Sequence, residues 1–177
     1  MQEVGALCAR AGKTLNECLD AVLDAAIAVT GADKGNIQLV DESGALRIAA
    51  QSGFDESFLN YFASVGPEDH AACGAAMQSG TRVIVEDVTQ SKIFTGQPSL
   101  QVLLEAEVHA VQSTPLVCRD GRLLGMLNNH FGHVHRPSEL ELRYLDLLAR
   151  MAADVIERRQ AHERMQESEK QVRRAHD

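Results

Sequence analysis

The sequence has no tryptophan, an aromatic content of only 4%, and no CxxC pair among its four cysteines, Cys8, Cys18, Cys73 and Cys118. Cysteines scattered in this way do not make the disulfide framework of a stapled miniprotein. Without a secretory signal they read as free thiols in a reducing cytoplasm. That signal is missing: the opening MQEVGALCARAGKTLNE has no basic stretch followed by an apolar run. Long apolar runs are missing too. The richest, residues 21–30, is interrupted by Asp24 and falls far short of the ~20 apolar residues that span a bilayer, so no membrane insertion is expected. Excess positive charge is absent, with 17 Lys+Arg against 25 Asp+Glu and a net charge of −8. An acidic chain does not hold a phosphate backbone through bulk charge, so nucleic acid is not an expected partner. No glycine fingerprint follows a strand, which disfavours a doubly wound nucleotide-binding fold. No Ser-His-Asp arrangement, HExxH, P-loop or kinase motif is present, so no catalytic residue is assigned.

What is there suits one globular domain. Of the 177 residues 45% are hydrophobic and 24% charged, enough apolar mass for a core. Thr14-Leu-Asn-Glu17 fits a capping box. Behind it Leu15, Leu19, Val22, Leu23, Ala26 and Ile27 recur at helical spacing, which predicts a helix over 15–30 stopped by Gly31. Residues 2–12 read as a frayed preceding helix, because Val4, Leu7 and Cys8 share a face. Residues 36–41 and 46–51 are short alternating runs joined by hairpin chemistry at 41–44. Short helices are expected over 54–65 and 68–79, a β-branched strand over 82–88, a loop over 89–97, and a helix over 98–107. Residues 108–118 and 122–133 make the clearest hairpin, turning through Arg119-Asp-Gly121. A second capping box, Ser138-Glu-Leu-Glu141, opens a helix expected to run to the chain end. Hairpins with helices inserted between strands predict an α+β domain, a central antiparallel sheet flanked by helices.

The division expected along the chain is a helical extension over 1–13, a sensor-like domain over 14–156, and the start of a signalling helix over 157–177. The last segment carries a net +1, leaving −9 on the residues before it. Ala161, Met165, Ser168, Val172 and Ala175 follow a 4-3-4-3 rhythm. That is a short coiled-coil seam, read either as a solvated helix or as a parallel dimer helix leaving the domain. The dimer is favoured, because 20 residues of ordered chain beyond a core cost entropy unless something binds there.

The ordered series of motifs resembles a GAF domain of the type found in bacterial sensor histidine kinases. It consists of Gly35-Asn-Ile-Gln-Leu-Val-Asp41, Arg47-Ile-Ala-Ala-Gln-Ser-Gly-Phe54, Cys73-Gly74 with Gly80-Thr-Arg-Val-Ile-Val-Glu-Asp-Val88, Val111-Gln-Ser-Thr-Pro-Leu116, Gly121-Arg-Leu-Leu-Gly-Met126, Asn129-His-Phe131 and His135-Arg-Pro137. The resemblance implies a GAF/PAS-like sheet with the first and last helices on one face and a ligand pocket on the other. It also implies a non-catalytic cytoplasmic sensor that regulates an attached output module through its terminal helices.

The strands place polar residues amid apolar ones: Gln38, Gln112, Ser113, Asn128 and His130. Polar groups near a core take partners from the protein and its waters or from a ligand. Phe54, Phe58, Phe62 and Phe94 serve either as core or as pocket wall. The candidate ligand-binding residues are Gln38, Phe58, Cys73, Phe94, Ser113, Asn128 and His130; the small molecule and any cofactor are unidentified.

His130, His133 and His135 invite a zinc hypothesis. However, His130 and His133 fall on opposite sides of a continuing strand, so these are expected as surface or hairpin-end histidines and no metal ligand is assigned. His70, His109 and His130 are the histidines that could serve a haem. The Cys-His pair of bilin-attaching members and the cyclic-nucleotide signature are not found. Cys73-Gly-Ala-Ala76 resembles a segment of the free methionine sulfoxide reductases, catalytic GAF proteins that need a nucleophilic and a resolving thiol. Their further cysteine motif is missing, since residues 89–106 hold no cysteine. Cys73 is expected mainly as a small packing residue; reductase nucleophile and redox-sensing thiol are its alternatives. A purely structural dimerisation module is the third functional class.

Overall fold

The computed structural model describes residues 2–9 and 13–177. In chain order the elements are α1 (Gln2–Ala9), α2 (Leu15–Thr30), β1 (Lys34–Val40), β2 (Leu46–Ser52), α3 (Glu56–Tyr61), α4 (Ala72–Ser79), β3 (Val83–Val85), α5 (Pro98–Glu105), β4 (Ala110–Val117), β5 (Leu123–Phe131) and α6 (Glu139–His176). The strands form one antiparallel sheet in the order β2-β1-β5-β4-β3. It is an α+β fold with a long C-terminal helix.

Local chemistry explains the main boundaries. The Thr14 hydroxyl accepts the Glu17 amide at 3.1 Å, and Gly31 closes α2 in the left-handed conformation at φ 70°. Ser138 and Glu141 cap α6 in the same reciprocal way. Both helices begin where their capping boxes predict, and α2 ends where Gly31 predicts. Residues 10–12 of the expected N-terminal helix lie outside the described residues.

Three expected elements come out shorter by four residues or more, and α5, β4 and β5 by two or three. Asp55 accepts the Phe58 amide and starts α3 at 56. The helix cannot continue to 65, because Val65 is extended and exchanges backbone hydrogen bonds with Leu46. The Asp69 carboxylate takes the Gly66 amide at 2.7 Å, which holds a turn before α4 and delays its start to 72. The strand expected over 82–88 keeps only Val83–Val85. Asp87 accepts the amide and hydroxyl of Thr89 and winds Val88–Gln90 into a 3-10 turn.

The sheet separates two apolar clusters. On one face α2 and α6 bury Leu19, Val22, Leu23, Leu145, Leu148 and Ile156 against Ile37, Leu116 and Leu127. Here α1 packs on α2, with Gly5 facing the Met151 methyl. On the other face α3, α4 and α5 cover Met126, Val85 and Val111. Bulges tune which side each residue meets. Leu124 is passed over between the Leu116–Gly125 and Val117–Leu123 pairs, which resets the alternation so that Leu124 joins the helix-side cluster and Leu123 the other.

Candidate functional site

The strand period of two decides which side chains face α3–α5. Asn36 and Gln38 on β1, Asn128 and His130 on β5, and Ser113 on β4 share that face. All five line one small chamber, closed above by Phe58, Phe62, Phe94 and Cys73. The chamber therefore collects all seven sequence-predicted candidates, Gln38, Phe58, Cys73, Phe94, Ser113, Asn128 and His130. Its volume is about 30 Å³, room for roughly one water molecule. The ring systems of haem, flavin and bilin do not fit it.

Asn128 is the centre of the polar wall. Its Nδ2 donates to Asn36 Oδ1 at 2.7 Å and to Gln38 Oε1 at 2.8 Å. Gly125 makes this approach feasible: a Cβ there would sit 2.1 Å from the Gln38 carbonyl oxygen, so any side chain would push β1 off β5. Three buried atoms in the wall have no partner in the protein: Asn128 Oδ1, Ser113 Oγ and His130 Nδ1. An unpaired buried polar atom costs about 1–3 kcal/mol, and such groups mark sites of recognition or bound water.

The wall carries no charge at neutral pH. Burial, aided by the nearby Lys34 ammonium, pushes the His130 imidazole down to about 3, so it is neutral. Its ring meets Phe54 and Phe58 edge-on, and those two rings stack on each other at 3.8 Å. Burial likewise pushes the Cys73 thiol up to about 11, against a smaller opposing pull from its hydrogen bond with Gln38.

The three clustered histidines separate. His130 is 5% exposed and faces the chamber, which corrects the expectation of a surface or hairpin-end residue. His130 lies within β5, which runs to Phe131, and the strand's alternation turns it inward. His135 stacks on Phe131 at 3.9 Å, and Phe131 belongs to the opposite side of the sheet. His133 is exposed. Among the described residues, no three His, Cys, Asp or Glu side chains converge as a metal site requires. His70 and His109, weighed with His130 for haem, are absent from the chamber wall.

The family model for the GAF domain matches residues 12–157. The chain belongs to the GAF domain family. Three solved structures illustrate the likeness. The first is the domain of a protein described as a two-component sensor histidine kinase from Sinorhizobium meliloti. It is 23% identical with a TM-score of 0.71, over 88% of this chain and 99% of that one. The second is the GAF domain of an Acinetobacter phosphoenolpyruvate-protein phosphotransferase, 16% identical with a TM-score of 0.74, over 92% and 94%. The third is the free methionine-R-sulfoxide reductase of Neisseria meningitidis in complex with its substrate. It is 22% identical with a TM-score of 0.71, over 90% and 88%. At these identities the likeness is one of fold. No curated protein matches the sequence.

GAF domains are generally regulatory, commonly bind small ligands and attach to output modules. Among the described residues, no helix of this one is long and apolar enough to cross a membrane. Six wall residues are not among the sequence candidates: Asn36, Phe62, Ala71, Ala72, Leu103 and Val111. Asn36 stands two positions before Gln38 on the same strand face, a polar alternation that could have found it. Phe62 caps α3 and was weighed only as general wall or core. Gln112, polar amid apolar neighbours but not a pocket candidate, is the cross-strand partner of Asn129 and faces the terminal helices.

Proposed function

We propose that this GAF domain is the non-catalytic sensor of a cytoplasmic signal-transduction protein, a sensor histidine kinase being the favoured context. A small ligand in the chamber biases the packing of α2 and α6, and the long helix carries that bias to the output module. The observation that carries this reading is the set of unpartnered neutral polar atoms in the chamber, on the sheet face opposite the terminal helices. Ligand contact there changes the strands on which those helices rest, and a differential contact of this kind is what a population shift needs.

A homodimer through the terminal helices completes the reading. Met165 and Val172 are 65% and 55% exposed. Leu140 and Leu147, also exposed, stand at whole-heptad spacing from Ala161, with the charged Asp154 and Arg158 at the intervening heptad positions. The test has two parts. Native mass spectrometry of freshly purified protein should show a specific small molecule, absent from Asn128→Leu. Sedimentation should show a dimer that Met165→Glu with Val172→Glu converts to monomer. A bare monomer at high micromolar concentration in the unmodified chain overturns the reading.

A thiol enzyme like the methionine sulfoxide reductases is the rival. It is opposed by the neutral, buried Cys73 and by the placement of the other thiols. Cys118 lies in the cluster under the terminal helices, Cys18 is buried on α2, and Cys8 sits next to Cys18. A thioredoxin-coupled assay with turnover abolished by Cys73→Ala would favour the enzyme.

A further inference from the structure

We propose that the chamber and the pocket outside it form one two-part site for an α-amino acid with an uncharged amide side chain. This deepens the ligand-sensing reading and rests on it. The outer pocket, about 190 Å³, lies between the α3–α4 loop and the start of α5. Phe62 and Ala71 line both spaces, so the two are neighbours divided by the Phe62 ring.

The outer pocket suits a zwitterion. Ser99, the second residue of α5, lines it. The residue is 2% exposed, and its Oγ has no partner. Gln97 precedes the helix without a side-chain cap, so the first amides of α5 have no side-chain acceptor there. The Ser99 hydroxyl and amide at the positive end of this helix offer donors to a carboxylate, whereas Pro98 has no amide hydrogen and the Leu100 amide donates to the Gln97 carbonyl. Asp69 lines the same pocket, already holding the Gly66 amide. Its negative charge disfavours a bare anion and favours a ligand whose carboxylate has an ammonium beside it.

The inner chamber suits a neutral amide. Asn128 Oδ1 would accept from an amide NH2, and the Ser113 hydroxyl would donate to an amide carbonyl. A carboxylate placed there meets no cation among the wall residues and loses its hydration. Length fits as well. Leu103 lines the chamber, one turn beyond Ser99 on α5 and so about 6 Å along the axis. A glutamine side chain spans roughly 5 Å from its α carbon to its amide. Entry of the amide displaces Phe62, the shared wall.

Calorimetric titration of the full chain tests this with L-glutamine, L-glutamate, glutaramate (which lacks the ammonium) and propionamide (which lacks both charged groups). The expected result is L-glutamine binding at least tenfold tighter than each of the others. Ser99→Ala should weaken it about tenfold while leaving the circular dichroism spectrum and melting temperature unchanged. The proposal is overturned by no heat with L-glutamine at millimolar concentration. It is also overturned by L-glutamate or propionamide binding as well as L-glutamine, or by Ser99→Ala binding unchanged. A different molecule retained in native mass spectra and lost in Asn128→Leu would keep the sensing reading while overturning this one.

Discussion

On the helix face of the sheet, Ile37, Leu116 and Leu127 meet Leu19, Leu23, Leu145 and Leu148, each at most 1% exposed. On the other face the same strands present Gln38, Ser113 and Asn128, equally buried, with polar atoms of Ser113 and Asn128 left unpaired. Burial is alike and chemistry is opposite. The helix face is filled by aliphatic side chains worth about 1.5–3 kcal/mol each. The chamber face gives up part of that stabilisation and gains directional groups that a ligand can satisfy. The contrast is not perfect: Gln112 and Asn129 bring unpaired amide atoms to the helix face, where Asn129 Nδ2 reaches the Thr30 hydroxyl at 3.3 Å. This polar spot under the end of α2 lies one residue along each strand from the Ser113–Asn128 pair. The two polar spots are therefore back to back across the sheet.

The comparison can be broken most directly on the helix face. Leu148→Ala removes a fully buried side chain from close-packed surroundings and should cost about 3 kcal/mol in urea denaturation. A cost under ~1 kcal/mol would mean that this face is not the stabilising one. A second test sharpens the chamber's neutrality. His130 stays neutral in the folded protein down to about 3 but protonates near 6.5 when unfolded. The unfolded chain thus binds more protons between those values, so the stability is fully present above about 6.5 and is lost as pH falls toward 3. The loss is about 1 kcal/mol per pH unit, and His130→Phe should flatten that slope relative to the unmodified protein. Exposed carboxylates such as Asp87 and Asp120 titrate in both proteins and cancel. The smallest effect tests the polar atoms themselves. Ser113→Ala deletes an unpaired buried hydroxyl and should change stability by no more than about 1 kcal/mol, in the stabilising direction. A loss of 2 kcal/mol or more would show that the hydroxyl has a structural partner.

Much of the architecture was legible because its signals are local. Thr14, Ser138 and Gly31 act within one helical turn, and Asp120-Gly121 turns its hairpin within two residues. The shortened elements were illegible for the converse reason. Val65 is extended because Leu46, nineteen positions earlier, pairs with it, and no local pattern records that. The candidate residues were found through their polarity amid apolar runs. Polarity does not say which way a residue faces, and Gln112 was grouped with Ser113 although the two are neighbours on one strand. Nor does sequence polarity measure space: the chamber is far smaller than a pocket for a prosthetic group.

By itself the sequence determined the order and type of elements, the two capping boxes, the short seam in the tail, and the ordered motifs whose resemblance points to the family. These follow from spacing along one chain. The tertiary structure alone decided that side chains from β1, β4 and β5 converge on one chamber, that His130 is buried and uncharged, and that Ser99 opens onto a neighbouring pocket. Those facts depend on strand register, on the clearance Gly125 leaves between β1 and β5, and on helices laid across the sheet, which bring together residues up to 94 positions apart.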